Sequence, residues 1–107
     1  MELFEGYVPI FKALADETRL KIVGMLSCGE MCACNILESF QITQPTLSYH
    51  MKILTECGLV RSRKDGPWIR YCINADMVSS IKGYWDQITT KQEECICVYS
   101  KEECKCE

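Results

Sequence analysis

Apolar residues recur at three- and four-residue intervals where the chain begins. Leu3, Phe4, Tyr7, Ile10, Phe11 and Leu14 mark one face of an amphipathic first helix. Asp16 then stands as an N-cap with Arg19 three positions on, and Leu20, Val23 and Leu26 form the stripe of a second helix that stops near Gly29. A third, short helix is expected over residues 32–40. The stretch QITQPTLSYHMKILTECGL supplies an N-capping Thr43, Pro45 in a first helical turn, a stripe of Leu47, Met51 and Leu54, and Gly58 as the stop. Two short helices joined by a tight polar turn make a helix-turn-helix.

After Gly58 the period changes to two. Residues 59–64 and 68–73 flank Asp65-Gly66, a hairpin signal, and Ile69, Tyr71 and Ile73 alternate with Trp68, Arg70 and Cys72. A hairpin beside a helix-turn-helix is a wing. A last helix starts near Asn74 or Asp76 and carries Met77, Ile81, Tyr84, Trp85 and Ile88 on one face. With the first helix it offers more apolar surface than a small core uses, which predicts a homodimer built on these two helices. The expected fold is mainly α with a β-hairpin wing (α+β), a winged helix-turn-helix. Residues 1–91 form the DNA-binding and dimerisation domain, and residues 92–107 a cysteine-rich acidic tail.

The chain has 107 residues, 48% hydrophobic and 25% charged, the composition of a soluble globular domain, with no apolar run near the ~20 residues of a membrane span. Met1-Glu2-Leu3-Phe4-Glu5 is acidic where a secretory signal would be basic, so the expected location is cytoplasmic, with no membrane partner. The net charge of −3 argues against nucleic acid, but its distribution does not. Residues 41–75 hold Lys52, Arg61, Arg63, Lys64 and Arg70 against Glu56 and Asp65, a local +3, whereas residues 86–107 carry three lysines against six acids. The basic cluster covers the helix-turn-helix and wing, where phosphate neutralisation supplies sequence-independent affinity for double-stranded DNA.

Gln44, Thr46, Ser48 and Tyr49 lie on the polar side of the candidate recognition helix, where base edges are read. Lys52, Arg61, Arg63, Lys64 and Arg70 are read as phosphate contacts. His50 is either a phosphate contact or a histidine satisfied inside the domain, and Trp68 is read as wing packing.

Nine cysteines are unusual in a reducing compartment, and six of them form the Cys-x-Cys pairs Cys32/Cys34, Cys95/Cys97 and Cys104/Cys106. Clustered thiolates suit soft ions. Cys57 and Cys72 stand apart and read as small buried hydrophobes.

The stretches FKALADETRLKIV, GEMCACNIL, QPTLSYHMKILTECGLV and RKDGPWIRYCIN together resemble the ArsR/SmtB-type metal-responsive winged-helix repressors over residues 11–73. The resemblance implies a homodimer that binds an inverted-repeat operator and releases it when a metal or metalloid binds. His50 aligns with that family's Ser-x-His motif. GEMCACNIL is similar to the arsenic-sensing branch, whose thiol motif runs Glu-Leu-Cys-Val-Cys-Asp-Leu-Cys. Its first two thiols fall on Cys32 and Cys34 and its third on Leu37, which leaves Cys28, a tail cysteine, or none as third ligand. Asn35 replaces the motif's acidic residue. The zinc-sensing branch uses Asp and His pairs on the last helix, and the only histidine here is His50.

On a regular helix, positions i and i+2 lie roughly 200° apart. A soft ion held by both Cys32 and Cys34 is therefore expected to unwind the start of the third helix and displace the reader, and a coupling of about 3 kcal/mol would weaken operator binding over a hundredfold. The expected inducer is trivalent arsenic or antimony. Cys95, Cys97, Cys104 and Cys106 are expected to hold another soft metal ion, to complete the Cys32/Cys34 site, or to bind nothing. The alternatives are a thiol-based redox repressor, a cadmium-, zinc- or lead-responsive one, and a metal-buffering protein. Without a carboxylate pair or phosphate loop, an enzyme is not expected.

Overall fold

The computed structural model describes residues 2–90, with side chains from residue 6 onward. Cys95, Cys97, Cys104 and Cys106, and the boundary expected after residue 91, lie outside these residues. The order is α1 (Glu2–Leu14), α2 (Glu17–Leu26), β1 (Met31–Cys32), α3 (Ala33–Glu38), α4 (Gln44–Glu56), β2 (Val60–Asp65), β3 (Trp68–Ile73) and α5 (Ala75–Thr89). No helix among the described residues is long and apolar enough to cross a membrane.

Local signals set most of these boundaries. The Asp16 carboxylate accepts from the Arg19 backbone N–H at 3.0 Å and starts α2. Thr43 Oγ1 accepts from the Thr46 N–H at 3.3 Å and starts α4, with Pro45 in its first turn. Gly58 follows the end of α4 at φ +90, a conformation that side chains disfavour, and the α5 residue Met77 leaves a Cβ there only 3.0 Å of room. Asn74 caps α5 through Met77 N–H and donates to the Gly58 carbonyl at 2.8 Å, so one side chain pins α5 to the end of α4. In the hairpin, the Asp65–Trp68 pair closes on Gly66, at φ +62, and Pro67. A positive φ followed by proline's fixed negative φ suits a two-residue hairpin loop.

Every helix up to α4 feeds one core. Ile10 and Ala13 of α1, Ile22 and Leu26 of α2, Ile36 of α3 and Leu47, Met51 and Leu54 of α4 meet Leu59 and Val60 at the base of the wing. The expected α2 stripe is corrected here. Leu20 is 53% exposed and Ile22 is fully buried, because the four-residue step from Ile22 to Leu26 sets the inward face and Leu20 lies about 200° from Ile22.

The third helix is also corrected. It covers six residues rather than the expected nine, because Met31 and Cys32 pair with Tyr71 and Arg70 as a short outer strand. The sheet is thus three-stranded and antiparallel, in the order β1-β3-β2. Cys32 is the extended N-cap residue of α3, at φ −74 and ψ 145.

Met77 and Ile81 of α5 pack against the core, but its outer rim does not. Tyr7 of α1 stacks on Tyr84 of α5 with centroids 4.4 Å apart, and Phe11 lies 6.3 Å from both the Tyr84 and Trp85 rings. Val8, Phe11, Trp85 and Ile88 remain exposed beside this aromatic contact.

Candidate thiol site and nucleic-acid interface

Cys32 ends β1 and Cys34 begins α3, so a strand-to-helix junction separates two thiols that a continuous helix would set on opposite sides. Their sulfurs lie 2.9 Å apart. The expected unwinding of α3 is therefore unnecessary: extended backbone at Cys32 turns its side chain toward that of Cys34 before any ligand arrives. Cys32 is buried and Cys34 exposed.

The close approach splits their acidities. A hydrogen bond from the Cys34 thiol, helped by the Cys34 backbone N–H and by Arg70, lowers the pKa of Cys32, while bonding to Cys32 and repulsion from its charge raise that of Cys34. Of the two thiols, Cys32 is therefore the one that ionises first. Cys34→Ala is expected to raise the pKa of Cys32. Thiolate ultraviolet absorbance, measured against a Cys32→Ser control, would then show the first ionisation moving to higher pH.

Two adjacent thiols, one already inclined to ionise, fit a soft, thiophilic ion. Among the described residues no group of three His, Cys, Asp or Glu side chains could hold a metal, so exposed Cys28 does not join the pair. Leu37, one turn after Cys34 on α3, presents an apolar side chain to the same side. The thiols open onto a cavity of about 310 Å³. Gln44, Leu47, Ser48 and Met51 of α4 line its second wall, and Trp68, Ile69 and Tyr71 of the wing line its third. Sequence reading missed this cavity, because it forms only where α3, α4 and β3 converge. Trp68 lines it while remaining half exposed.

On α4, Leu47, Met51 and Leu54 are buried while Gln44, Thr46, Ser48 and Tyr49 are exposed, the inside–outside split that a reading helix needs. Thr46 is partly occupied, since its hydroxyl accepts from Thr43 at 3.0 Å. His50 turns inward. Arg19 has only donors, so in the 2.9 Å contact between Arg19 Nη1 and His50 Nδ1 the imidazole accepts. Arg19 Nε donates to the Ala13 carbonyl at 2.6 Å, and the link therefore braces α4 against the end of α1. Neither member of this contact was paired in the sequence reading, where nothing relates positions 31 residues apart.

The basic residues are not equally free. Arg63 is held by Glu30 through two bonds of 2.8 Å, Arg70 by Asp65 at 2.8 Å, Arg61 by Asp76 at 3.8 Å and Lys52 by Glu56 at 4.0 Å. Lys64, exposed on β2, forms no ion pair among the described residues. Glu30 stands two residues before Cys32, and Arg63 lowers its pKa by hydrogen bonding. The thiol segment is thus tied to the wing twice, by this pair and by the β1–β3 ladder.

The model of bacterial regulatory proteins of the arsR family matches residues 16–62. An arsenical resistance operon repressor of Staphylococcus aureus is 47% identical over 88 residues, covering 82% of this chain and 85% of that protein. The chain belongs to the ArsR family. A second arsenical resistance operon repressor, from Bacillus subtilis strain 168, is 37% identical over 101 residues, covering 94% of this chain and 88% of that protein. The crystal structure of an ArsR family transcriptional regulator superposes with a TM-score of 0.72 at 26% identity, over 78% of this chain and 86% of that one. The exposed face of α4 and the β2–β3 wing therefore belong to an ArsR winged helix-turn-helix, a DNA-binding regulator of transcription rather than an enzyme.

Proposed function

We propose that the chain is a metalloid-responsive repressor that binds an inverted-repeat operator as a homodimer and releases it when trivalent arsenic or antimony engages Cys32 and Cys34. The observation that carries this reading is the 2.9 Å approach of the two sulfurs on the element that precedes the reading helix. When bound, the metalloid supplies a strong bond to each sulfur.

The protein's own residues do the rest. Cys32 and Cys34 hold the ligand at the mouth of the cavity, whose second wall is the face of α4 that carries Gln44 and Ser48. A group lodged there pushes α3 from α4, and the Glu30–Arg63 pair and the β1–β3 ladder pass the displacement to the wing. Gln44, Ser48 and Tyr49 then lose register with base edges. A ligand need bind the released form only about a hundredfold better than the DNA-bound form for an effect of about 3 kcal/mol.

Titration of the reduced protein on its operator with arsenite, antimonite, cadmium and zinc tests this reading. Release by arsenite or antimonite at concentrations well below those of the divalent ions is the expected outcome, and retention of the operator throughout would overturn it. The short sulfur separation supports a second reading, in which the pair oxidises to a disulfide, and release by peroxide but not by arsenite under reductant control would favour it.

Lys64 and Arg63 are assigned to phosphate. Replacing either with alanine should weaken binding to all sequences alike and reduce the salt slope by about one. The loss should be larger for Lys64→Ala, because Arg63 gives up Glu30 to reach DNA. Altered sequence preference in either variant would remove these residues from the backbone-contact set.

A further inference from the structure

We propose that His50 Nε2–H holds a phosphodiester oxygen of the DNA backbone on the α2 side of the reading helix, and that Arg19 sets this donor by claiming the other ring nitrogen.

The tautomer carries the argument. Arg19 Nη1 lies 2.9 Å from His50 Nδ1, and a guanidinium has no acceptor, so Nδ1 offers the lone pair and the proton of the neutral ring stands on Nε2. Arg19 is itself fixed, since its Nε donates to the Ala13 carbonyl at 2.6 Å. Asp16 does not compete for the ring. Its Oδ2 is 3.9 Å from Nδ1, beyond hydrogen-bond distance, and already accepts from the Arg19 backbone N–H at 3.0 Å. Tyr49 meets the imidazole edge-on, with ring centroids 5.3 Å apart, and steadies the ring plane.

The outer nitrogen has no partner. The contact through Nδ1 is the only hydrogen bond His50 makes among the described residues. No side-chain nitrogen or oxygen of these residues is both buried and unpaired, so Nε2 reaches solvent even though the side chain as a whole is only 12% exposed. A donor oriented from behind, nearly covered and open at its tip has already met the ordering cost of binding. The bond from cationic Arg19 also draws electron density through the ring and strengthens Nε2–H as a donor.

Its place on α4 suits a backbone contact. Ser48, which lines the cavity under the wing, and His50 lie roughly 200° apart around the helix, with Tyr49 and Lys52 exposed between them. The reading face is thus bordered by the wing on one side and by His50 on the other, as a major groove about 12 Å wide is bordered by two phosphate backbones. Lys64, assigned to phosphate on the wing side, has in His50 its counterpart on the opposite strand. Being uncharged, His50 fixes register on the duplex without releasing a counterion.

The test separates the two ring nitrogens. Asparagine at this position keeps an acceptor near Nδ1 for Arg19 and loses the outer donor, whereas glutamine places an amide N–H near Nε2. In fluorescence anisotropy with an operator duplex selected from random sequences, His50→Asn is expected to bind at least about tenfold more weakly than His50→Gln. Sequence preference and salt slope should stay those of the unaltered chain, in contrast to Lys64→Ala. Methylphosphonate placed at single positions should reveal one phosphate per half-site whose neutralisation weakens the unaltered chain but not His50→Asn. Equal or tighter binding by His50→Asn than by His50→Gln would make the imidazole a brace alone and overturn the proposal. His50 is the only histidine of the chain, so nitrogen NMR of the labelled imidazole follows the ring in the unaltered protein and decides the matter if either variant fails to fold. The free protein should show one tautomer, protonated on Nε2, whose signal shifts when duplex is added, and Arg19→Ala should mix the two tautomers. A proton on Nδ1, or an Nε2 signal that DNA leaves unmoved, would overturn the assignment.

Discussion

Replacing Cys32 and Cys34 together with serine is expected to abolish metalloid release, raising the concentration needed by on the order of a hundredfold or more, while operator affinity stays within about twofold. The two halves of this result have different origins. Cys32 is buried at the β1–α3 junction and Cys34 faces the cavity, so neither thiol is placed to touch DNA. Serine keeps the size and donor capacity of each side chain but has little affinity for a soft ion. Electrophoretic mobility shift with and without metalloid reads both halves on one sample. Full release in the double variant would move the sensor to thiols outside the described residues, Cys95, Cys97, Cys104 and Cys106 among them.

Trp85→Glu is expected to convert the protein to a monomer and to lower operator affinity by between about a hundredfold and ten-thousandfold, the gain that two linked half-site contacts give over one. Trp85 is 55% exposed on α5, next to Phe11 of α1, and with Val8 and Ile88 it extends the Tyr7–Tyr84 stack into an apolar face that the core leaves uncovered. A carboxylate buried there without a partner costs several kcal/mol, but on an isolated protomer it simply faces water. Helical content should therefore survive while sedimentation shows one chain instead of two. A dimer that persisted in Trp85→Glu would move the interface away from α1 and α5.

The thiol pair and the wing act as one unit in this structure because short elements join them. β1 has only two residues, yet it sets Cys32 against Arg70 in the sheet, and Arg70 in turn favours the Cys32 thiolate. Glu30 reaches Arg63 two rungs away on the outer wing strand. A change at the thiols thus has a short, hydrogen-bonded route to both strands of the wing.

Periodicity and capping chemistry were enough to place α1, α2, α4, α5 and the hairpin, because each rests on signals within a few residues of itself: Asp16 and Arg19, Thr43 and Thr46, Gly58, Gly66, Asn74 and Met77. The same local signals marked α4 as the expected reading helix, since Leu47, Met51 and Leu54 leave one polar face, and singled out Cys32 and Cys34 as the candidate thiols. Tertiary structure alone decided how those thiols meet. Residues Met31 and Cys32 leave the helical pattern only because β3, some forty residues further along the chain, offers them a backbone partner, and no local propensity encodes that pairing. The same holds for the Arg19–His50 brace, for Glu30 on Arg63 and for the cavity beneath Trp68: each depends on surfaces brought together by burial of the common core, and burial acts on distance in space, which spacing along a chain does not record.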